Sequence, residues 1–287
     1  MGSDVTQRTP PLSAGLYLVS TPIGTASDIT LRALGILAGA DVLAAEDTRN
    51  SRKLLEIHGI KLEGRPFLAY HDHSSDGERK RLLDAIRAGK SVAYMSDAGT
   101  PLIADPGYKL AAEVIDAGLP VTSAPGASAL LAALAVAGLP TDRFMFAGFL
   151  PVKAMAKRKF LEGLGVIDAT LVFYESPRRL GDTLGVMADV YGERRGAVCR
   201  ELTKKFEEVR RGTLPELAAM YDAAPKGEIV VVVGPPIEQA LGEGDLDTAL
   251  EAALADMSVK DAAAFVSEQL GLKRKQVYAR ALEMSGK

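Results

Sequence analysis

The chain has 287 residues, with 34 Lys and Arg against 37 Asp and Glu, a formal charge of −3, and is 47% hydrophobic and 25% charged. These figures exclude a disordered or globally cationic chain and describe an ordinary globular protein, with two domains expected at roughly 100–200 residues each. One cysteine, Cys199, excludes an intramolecular disulfide and a cysteine-based zinc cluster. No apolar run approaches the roughly 18 residues that cross a membrane, so a cytoplasmic protein without a membrane anchor is expected.

Residues 1–14 are polar and read as a disordered tail, not a secretion signal. The apolar run 16–19 is a first strand. Residues 28–37 carry helical spacing, with Asp28 as the expected N-cap. A strand over 41–45, a helix over 48–58 stopped by Gly59, and a strand over 66–70 follow. Then come a helix over 76–88, a strand over 91–95, a helix over 108–117 closed by Gly118, and a strand over 120–123. Strands alternating with helices predict an open, mostly parallel sheet with helices on both faces.

A second series starts near Pro125. An alanine- and leucine-rich helix over 128–137 joins the halves. A strand over 144–149, a helix over 153–164 with basic residues on one side, a strand over 169–174 and a helix over 177–191 follow. Residues 195–202 and 207–212 read as strands, 215–221 as a short helix, and 228–233 as a fully apolar, buried strand. Pro235-Pro236 breaks the chain. Three helices over 245–256, 259–270 and 273–284 close it, with Ser258 as a cap and Gly271 between the last two. They read as a helix-turn-helix unit or as a helical subdomain packed on the core.

Ligands of open α/β sheets bind beyond the C-terminal strand ends, so the chemistry is sought there. No dinucleotide fingerprint or Walker A sequence occurs. The second strand ends in Glu46-Asp47-Thr48-Arg49, either a charged helix start or a polar cluster facing a substrate. His71-Asp72-His73 follows the third strand. It reads as a hydrogen-bonded loop, because two histidines at i and i+2 need further ligands to hold a metal. The 96–107 loop has two glycines and two prolines, which impose an unusual backbone path. Its Ser96 and Asp97 sit where a ribose or adenosine would be hydrogen-bonded. Pro125-Gly126-Ala127-Ser128 permits close backbone approach, and Ser128 would also cap a helix. Residues 151–211 hold 13 Lys and Arg against 9 Asp and Glu, a local +4 that suits an anionic partner such as RNA; Lys157 is counted among them. Cys199 lies in an apolar strand and reads as packing.

Several of these stretches carry a resemblance. Thr21-Pro22-Ile23-Gly24, Ala45-Glu46-Asp47-Thr48-Arg49, His71-Asp72-His73 and the 96–107 loop occur in order. Gly138-Leu139-Pro140, Gly148-Phe149-Leu150-Pro151, Phe173-Tyr174-Glu175-Ser176-Pro177 and Arg200-Glu201-Leu202-Thr203-Lys204 follow. The chain resembles, over 15–284, the bacterial 16S ribosomal RNA cytidine 2′-O-methyltransferases of the tetrapyrrole methylase family. The resemblance implies an α/β fold: two α/β/α domains of the tetrapyrrole methylase (class III methyltransferase) type, at 15–125 and 126–235, and a small C-terminal helical subdomain at 236–287. It implies S-adenosylmethionine as cofactor, a homodimer, and 16S rRNA of the small ribosomal subunit as partner.

Carried over by residue, the cofactor would lie against Pro22, Ile23, Ser96, Asp97, Gly99, Ile103, Ala127 and Ser128, with Phe173, Tyr174 and Leu202 closing it. Glu46, Asp47, Arg49, His71 and Glu175 would face the substrate. Lys153, Arg178, Arg179, Arg200, Lys204, Lys273 and Arg274, with His71, would meet the RNA. Two departures stand out: Thr25-Ala26 replaces the usual Asn-Leu, and Arg178 replaces a frequent histidine.

Methyl transfer from a sulfonium needs in-line approach, so positioning supplies much of the rate. A ribose 2′-hydroxyl is a poor nucleophile and benefits from a proton acceptor, for which Glu46, Asp47 and Glu175 are candidates. Arg49, Arg200 or Lys204 would orient a phosphate or stabilise oxyanion character. No metal is required. Two further readings stay open: a methyltransferase of this fold acting on a tetrapyrrole or protein side chain, and a non-catalytic RNA-binding assembly factor.

Overall fold

The computed structural model describes residues 11–71, 74–105, 107–236, 243–270, 272 and 274–285. Most of the expected 1–14 tail therefore lies outside the described residues. The chain forms two units, residues 1–236 and 237–287.

The first sheet is built from β1 (Gly15–Val19), β2 (Val42–Ala45), β3 (Phe67–Ala69), β4 (Ser91–Met95) and β5 (Val121–Ala124). Between them run α1 (Leu31–Gly39), α2 (Thr48–Ile57), α3 (Asp76–Arg87) and α4 (Tyr108–Asp116). The order is β3-β2-β4-β1-β5 and every pairing is parallel. β2 and β4 are buried along their whole length, as strands covered on both faces must be. Val92 and Tyr94 enter one core with Leu82 and Leu110; Ala93 and Met95 enter the other with Leu37 and Leu55.

The expectation of one helix over 28–37 capped by Asp28 is corrected. Ala26–Asp28 is a 3-10 turn, and Ile29 is extended (φ −73°, ψ 141°) and ends it. Thr30 is the cap instead, its hydroxyl accepting the Ala33 N–H at 3.1 Å. From β1 the chain passes over β4 to reach β2; from β4 it passes over β1 to reach β5. Neighbouring strand ends thus send their chains in opposite directions, which opens a crevice between them.

The second sheet follows α5 (Ala129–Ala137). It comprises β6 (Phe144–Phe149), β7 (Thr170–Glu175), β8 (Arg195–Arg200), β9 (Glu208–Thr213) and β10 (Ile229–Val233), with α6 (Ala154–Leu164), α7 (Leu180–Tyr191) and α8 (Leu214–Ala219). Its order is β6-β7-β10-β8-β9. Only β6 and β7 are parallel; the other three pairings are antiparallel, unlike those of the first sheet. For β8 and β9 the reason is local: no helix separates them, and a parallel pair would need a crossover. Along β10, Ile229, Val231 and Val233 pack towards Leu161, Leu184 and Leu217, while Val230 and Val232 pack towards Ala133 and Leu134 of α5.

The second unit holds α9 (Glu243–Asp256), α10 (Val259–Leu270) and α11 (Arg274–Met284). Leu250, Ala263, Val266, Val277 and Ala281 form its own core. Ser258 accepts the Asp261 N–H at 3.3 Å, and Arg280 grips Asp247 through two contacts of 2.7 and 2.6 Å. Gly271 and Lys273 lie outside the described residues. Among the described residues, no helix is long and apolar enough to cross a membrane.

Candidate active site

The loops after β1, β4 and β5 are laced together. Thr21 N–H donates to Gly99 O at 2.9 Å and Gly99 N–H to Thr21 O at 3.0 Å, a two-residue antiparallel bridge. Ser96 is buried; its hydroxyl donates to Gly99 O at 3.0 Å, and its carbonyl accepts the Thr21 hydroxyl at 3.2 Å. Thr100 donates to Ala127 O at 3.0 Å. The loop then turns through left-handed Leu102 (φ 71°) and Ala104 (φ 59°), a conformation that side chains adopt at a cost and that clusters at functional sites.

These loops and the second sheet enclose a cavity of about 410 Å³. That size falls in the range of small-molecule sites. Ile23, Gly99, Ile103, Asp105, Ser128 and Ala129 form one side, and Phe149, Tyr174, Cys199, Leu202 and Val230 the other. The Tyr174 ring is braced edge-on by Phe146 at 4.8 Å and Phe149 at 5.7 Å. Burial pushes its phenol pKa up.

The connection between β8 and β9 closes against the first turn. Thr25 N–H donates to the Thr203 hydroxyl at 3.1 Å, and the Thr25 hydroxyl donates to Thr203 O. Thr25, one of the two departures from the resembled pattern, is therefore a docking residue for this loop. A Cβ at Gly24 would lie 2.5 Å from Lys204 Cγ and 2.7 Å from the Thr203 hydroxyl, so only glycine allows the approach.

A polar cluster sits at the end of β2. Asp47 caps α2 by accepting the Arg49 N–H at 2.8 Å, and it pairs with the Arg49 guanidinium at 3.1 and 2.7 Å. These contacts hold its carboxyl down at about 2. Asp97 joins the cluster, and Glu46 is half-buried beside it. His71 is exposed, its N–H donating to the Ser74 hydroxyl at 2.9 Å. Asp72 and His73 lie outside the described residues. Among the described residues, no group of three His, Cys, Asp or Glu is placed to hold a metal.

Of the expected cofactor contacts, Ile23, Gly99, Ile103, Ser128, Tyr174 and Leu202 line the cavity; Pro22, Ser96, Asp97, Ala127 and Phe173 do not. Phe173 is corrected by strand parity. It is fully buried among Leu171, Leu184 and Val231 on the far face of the sheet, while Tyr174 turns to the cavity. Ser96 and Ala127 spend their polar groups on the loop itself.

Glu175 is corrected too. The residue lies in the cavity wall, but its side chain is 0% exposed, accepts from Ser176 N–H and the Thr183 hydroxyl at 2.7 Å each, and lies 3.3 Å from Arg179, so its carboxylate is engaged within the fold and not offered to a substrate. Part of the basic strip is engaged within the fold. Arg179 bonds the Leu150 carbonyl, Arg200 pairs with Glu208, and Lys204 pairs with Glu201 and Glu228. Lys157 is buried. Among the described residues Lys153, Arg178 and Arg274 are exposed; Lys273 lies outside them.

Asp105, Phe149, Cys199 and Val230 line the cavity but are not among the expected cofactor contacts. Cys199 is packed, with its thiol pushed up to about 11 by burial, and it also floors the cavity. The unbroken apolar runs of β8 and β10 signal burial on both faces but not which face borders a cavity.

Residues 15–218 match the family model of Tetrapyrrole (Corrin/Porphyrin) Methylases, and residues 240–285 match that of the RsmI C-terminal HTH domain. Ribosomal RNA small subunit methyltransferase I of Mesorhizobium japonicum is 51% identical over 277 residues, covering 96% of this chain and 93% of the relative. The protein of that name from Pseudomonas aeruginosa is 42% identical over 285 residues, covering 96% and 100%. Among solved structures, uroporphyrin-III-C-methyltransferase from Thermus thermophilus has a TM-score of 0.54 at 23% identity, over 77% of this chain and 94% of that one. Diphthine synthase gives 0.56 at 16% identity, over 76% and 89%. These structural likenesses concern the fold.

Proposed function

The chain belongs to the tetrapyrrole methylase family and to its ribosomal RNA small subunit methyltransferase I members, and from that premise we propose that it methylates the ribose 2′-hydroxyl of a cytidine in 16S rRNA, with S-adenosylmethionine as donor. The observation that carries this reading is the likeness to such relatives along nearly the whole chain.

The cavity fits the donor. Gly99, Ser128 and Ala129 are small and leave room for a ligand, Tyr174 offers a flat ring and Ile103 apolar contact, and the Asp105 carboxylate suits a cationic ligand. When bound, S-adenosylmethionine supplies an electrophilic methyl carbon on a sulfonium. The chain's own residues then have to orient the ribose and handle one proton. Arg49 is held by Asp47 with its side chain 89% exposed, which suits a phosphate contact. Asp47 at about 2 stays ionised but is a weak base. Glu46 is the carboxylate assigned to the 2′-hydroxyl proton.

Lys153, Arg178 and Arg274 are the cations offered to the RNA. A homodimer in the cytoplasm completes the proposal; exposed Phe149, Val152 and Met155 supply apolar surface for a second copy. Incubating unmodified small subunits with labelled S-adenosylmethionine and mapping the label tests the reading. One 2′-O-methylated cytidine is expected. Label entering uroporphyrinogen instead, or no transfer to RNA, would defeat it.

A further inference from the structure

A line of buried polar groups runs behind the cavity wall. Lys157 on α6 is 4% exposed. Its ammonium donates to the Thr183 hydroxyl at 2.8 Å, and that hydroxyl donates to Oε2 of Glu175 at 2.7 Å. Oε1 of Glu175 accepts the Ser176 N–H at 2.7 Å and lies 3.3 Å from Arg179 Nε. Arg179 Nη2 in turn donates to Leu150 O at 2.6 Å and Pro151 O at 3.3 Å.

A buried ammonium is a costly way to pack α6 on α7, because an apolar side chain of similar volume would do so without desolvation. Burial lowers the Lys157 pKa, the signature of that cost. What the charge adds is direction. Glu175, Ser176 and Pro177 form one part of the cavity wall and Phe149 another; Ser176 bonds the Glu175 carboxylate directly, and Arg179, paired with that carboxylate, bonds the carbonyls of Leu150 and Pro151 that follow Phe149.

We propose that Lys157 is a positioning residue for methyl transfer: acting through Thr183, it orients Glu175 and so sets the spacing between Phe149 and the 174–177 corner that seats the cofactor. Without the ammonium, the Thr183 hydroxyl is free to bond a carbonyl of its own helix, and Glu175 loses a donor. The corner then relaxes, and small misplacements at a transfer site are expensive. The inference rests on the cavity being the cofactor site.

The test compares Lys157→Met, Thr183→Val, their double variant and Thr183→Ser with Leu161→Ala, an apolar change on the same helix and in the same core. Lys157→Met and Thr183→Val are each expected to raise KM for S-adenosylmethionine about 10-fold and to leave KM for RNA within about 2-fold, with a non-additive double variant. Thr183→Ser, which keeps the hydroxyl, stays within about 3-fold of the parent. Leu161→Ala lowers the Tm without that KM shift. If Lys157→Met and Thr183→Val lower only the Tm, as Leu161→Ala does, the inference is overturned. Ala129→Leu, which fills the cavity, separates the two readings: normal cofactor binding by that variant removes the site itself. Abolished binding there, with unchanged KM in the Lys157 and Thr183 variants, removes only the positioning role.

Discussion

The backbone N–H of Asp47 donates to Oδ1 of Asp97 at 3.0 Å, and Asn50 Nδ2 donates to Oδ2 of the same carboxylate at 3.2 Å. One side chain from the loop after β4 therefore holds the first turn of α2 and couples the cavity loop to the 46–50 cluster. Asp97→Ala removes both bonds. At about 0.5–1.5 kcal/mol net for a hydrogen bond of this kind, cofactor affinity is expected to fall by roughly 3- to 10-fold. Calorimetric titration with S-adenosylmethionine measures this, and an unchanged Kd would detach the loop from cofactor binding.

Gly24 makes a second, purely steric prediction. An added Cβ would press on Lys204 Cγ at 2.5 Å, the Thr203 hydroxyl at 2.7 Å and Leu202 O at 3.1 Å. The flexible lysine can yield; the 202–203 backbone cannot without moving Leu202, which lines the cavity. Gly24→Ala is expected to destabilise the protein by about 1–3 kcal/mol and to weaken cofactor binding as well. Thermal unfolding with and without S-adenosylmethionine reads both; a variant with native Tm and native ligand-induced shift would show that the loop is not tightly seated.

Much of the fold is legible in the sequence, and the parts that are not have a common cause. β4 is an apolar run between Gly89 and a glycine-rich loop, and its bounds match the expected ones residue for residue. α2 stops where Gly59 takes φ +67°. What cannot be read depends on contacts distant in sequence. β10 slots between β7 and β8, a pairing no local pattern encodes. Phe173 and Tyr174 are adjacent aromatics in one strand, and only sheet packing decides which faces the cavity. Lys157 counts as a surface charge in the sequence; its partner Thr183, 26 residues on, is what encloses it.

Asp47 allows a pH prediction with a defined sign. Its carboxyl is held at about 2, below the ordinary 3.8, so what the Arg49 contacts contribute is present above 3.8 and lost as pH falls towards 2. Nothing about this pair changes between about pH 5 and 9. Any acid limb in kcat/KM over that interval belongs to another group. Asp47→Asn is expected to lower kcat/KM by releasing Arg49, yet to keep the midpoint of the limb. Glu46→Gln is expected to lower kcat/KM further than Asp47→Asn does, because it removes the proton acceptor itself. The reverse pattern would exchange the roles assigned to the two carboxylates.

Residues 237–287 form a unit with its own core, and every residue lining the cavity belongs to residues 1–236. Removing the unit should therefore separate the two ligands. The shortened chain retains the loops and sheet that make the cofactor site, so its affinity for S-adenosylmethionine is expected to stay within about 2-fold of the parent, consistent with sites that share no contacts. The RNA, in turn, no longer meets exposed Arg274 and its helix. A phosphate without its protein cation keeps its counterions, and the free energy of their release is forgone. Methylation is accordingly expected to fall at least about 10-fold and to depend less steeply on salt. Equal reductions of cofactor binding and RNA methylation would instead identify the three helices as structural support for the first unit. Loss of methylation with an unaltered salt slope would assign them a role other than phosphate binding.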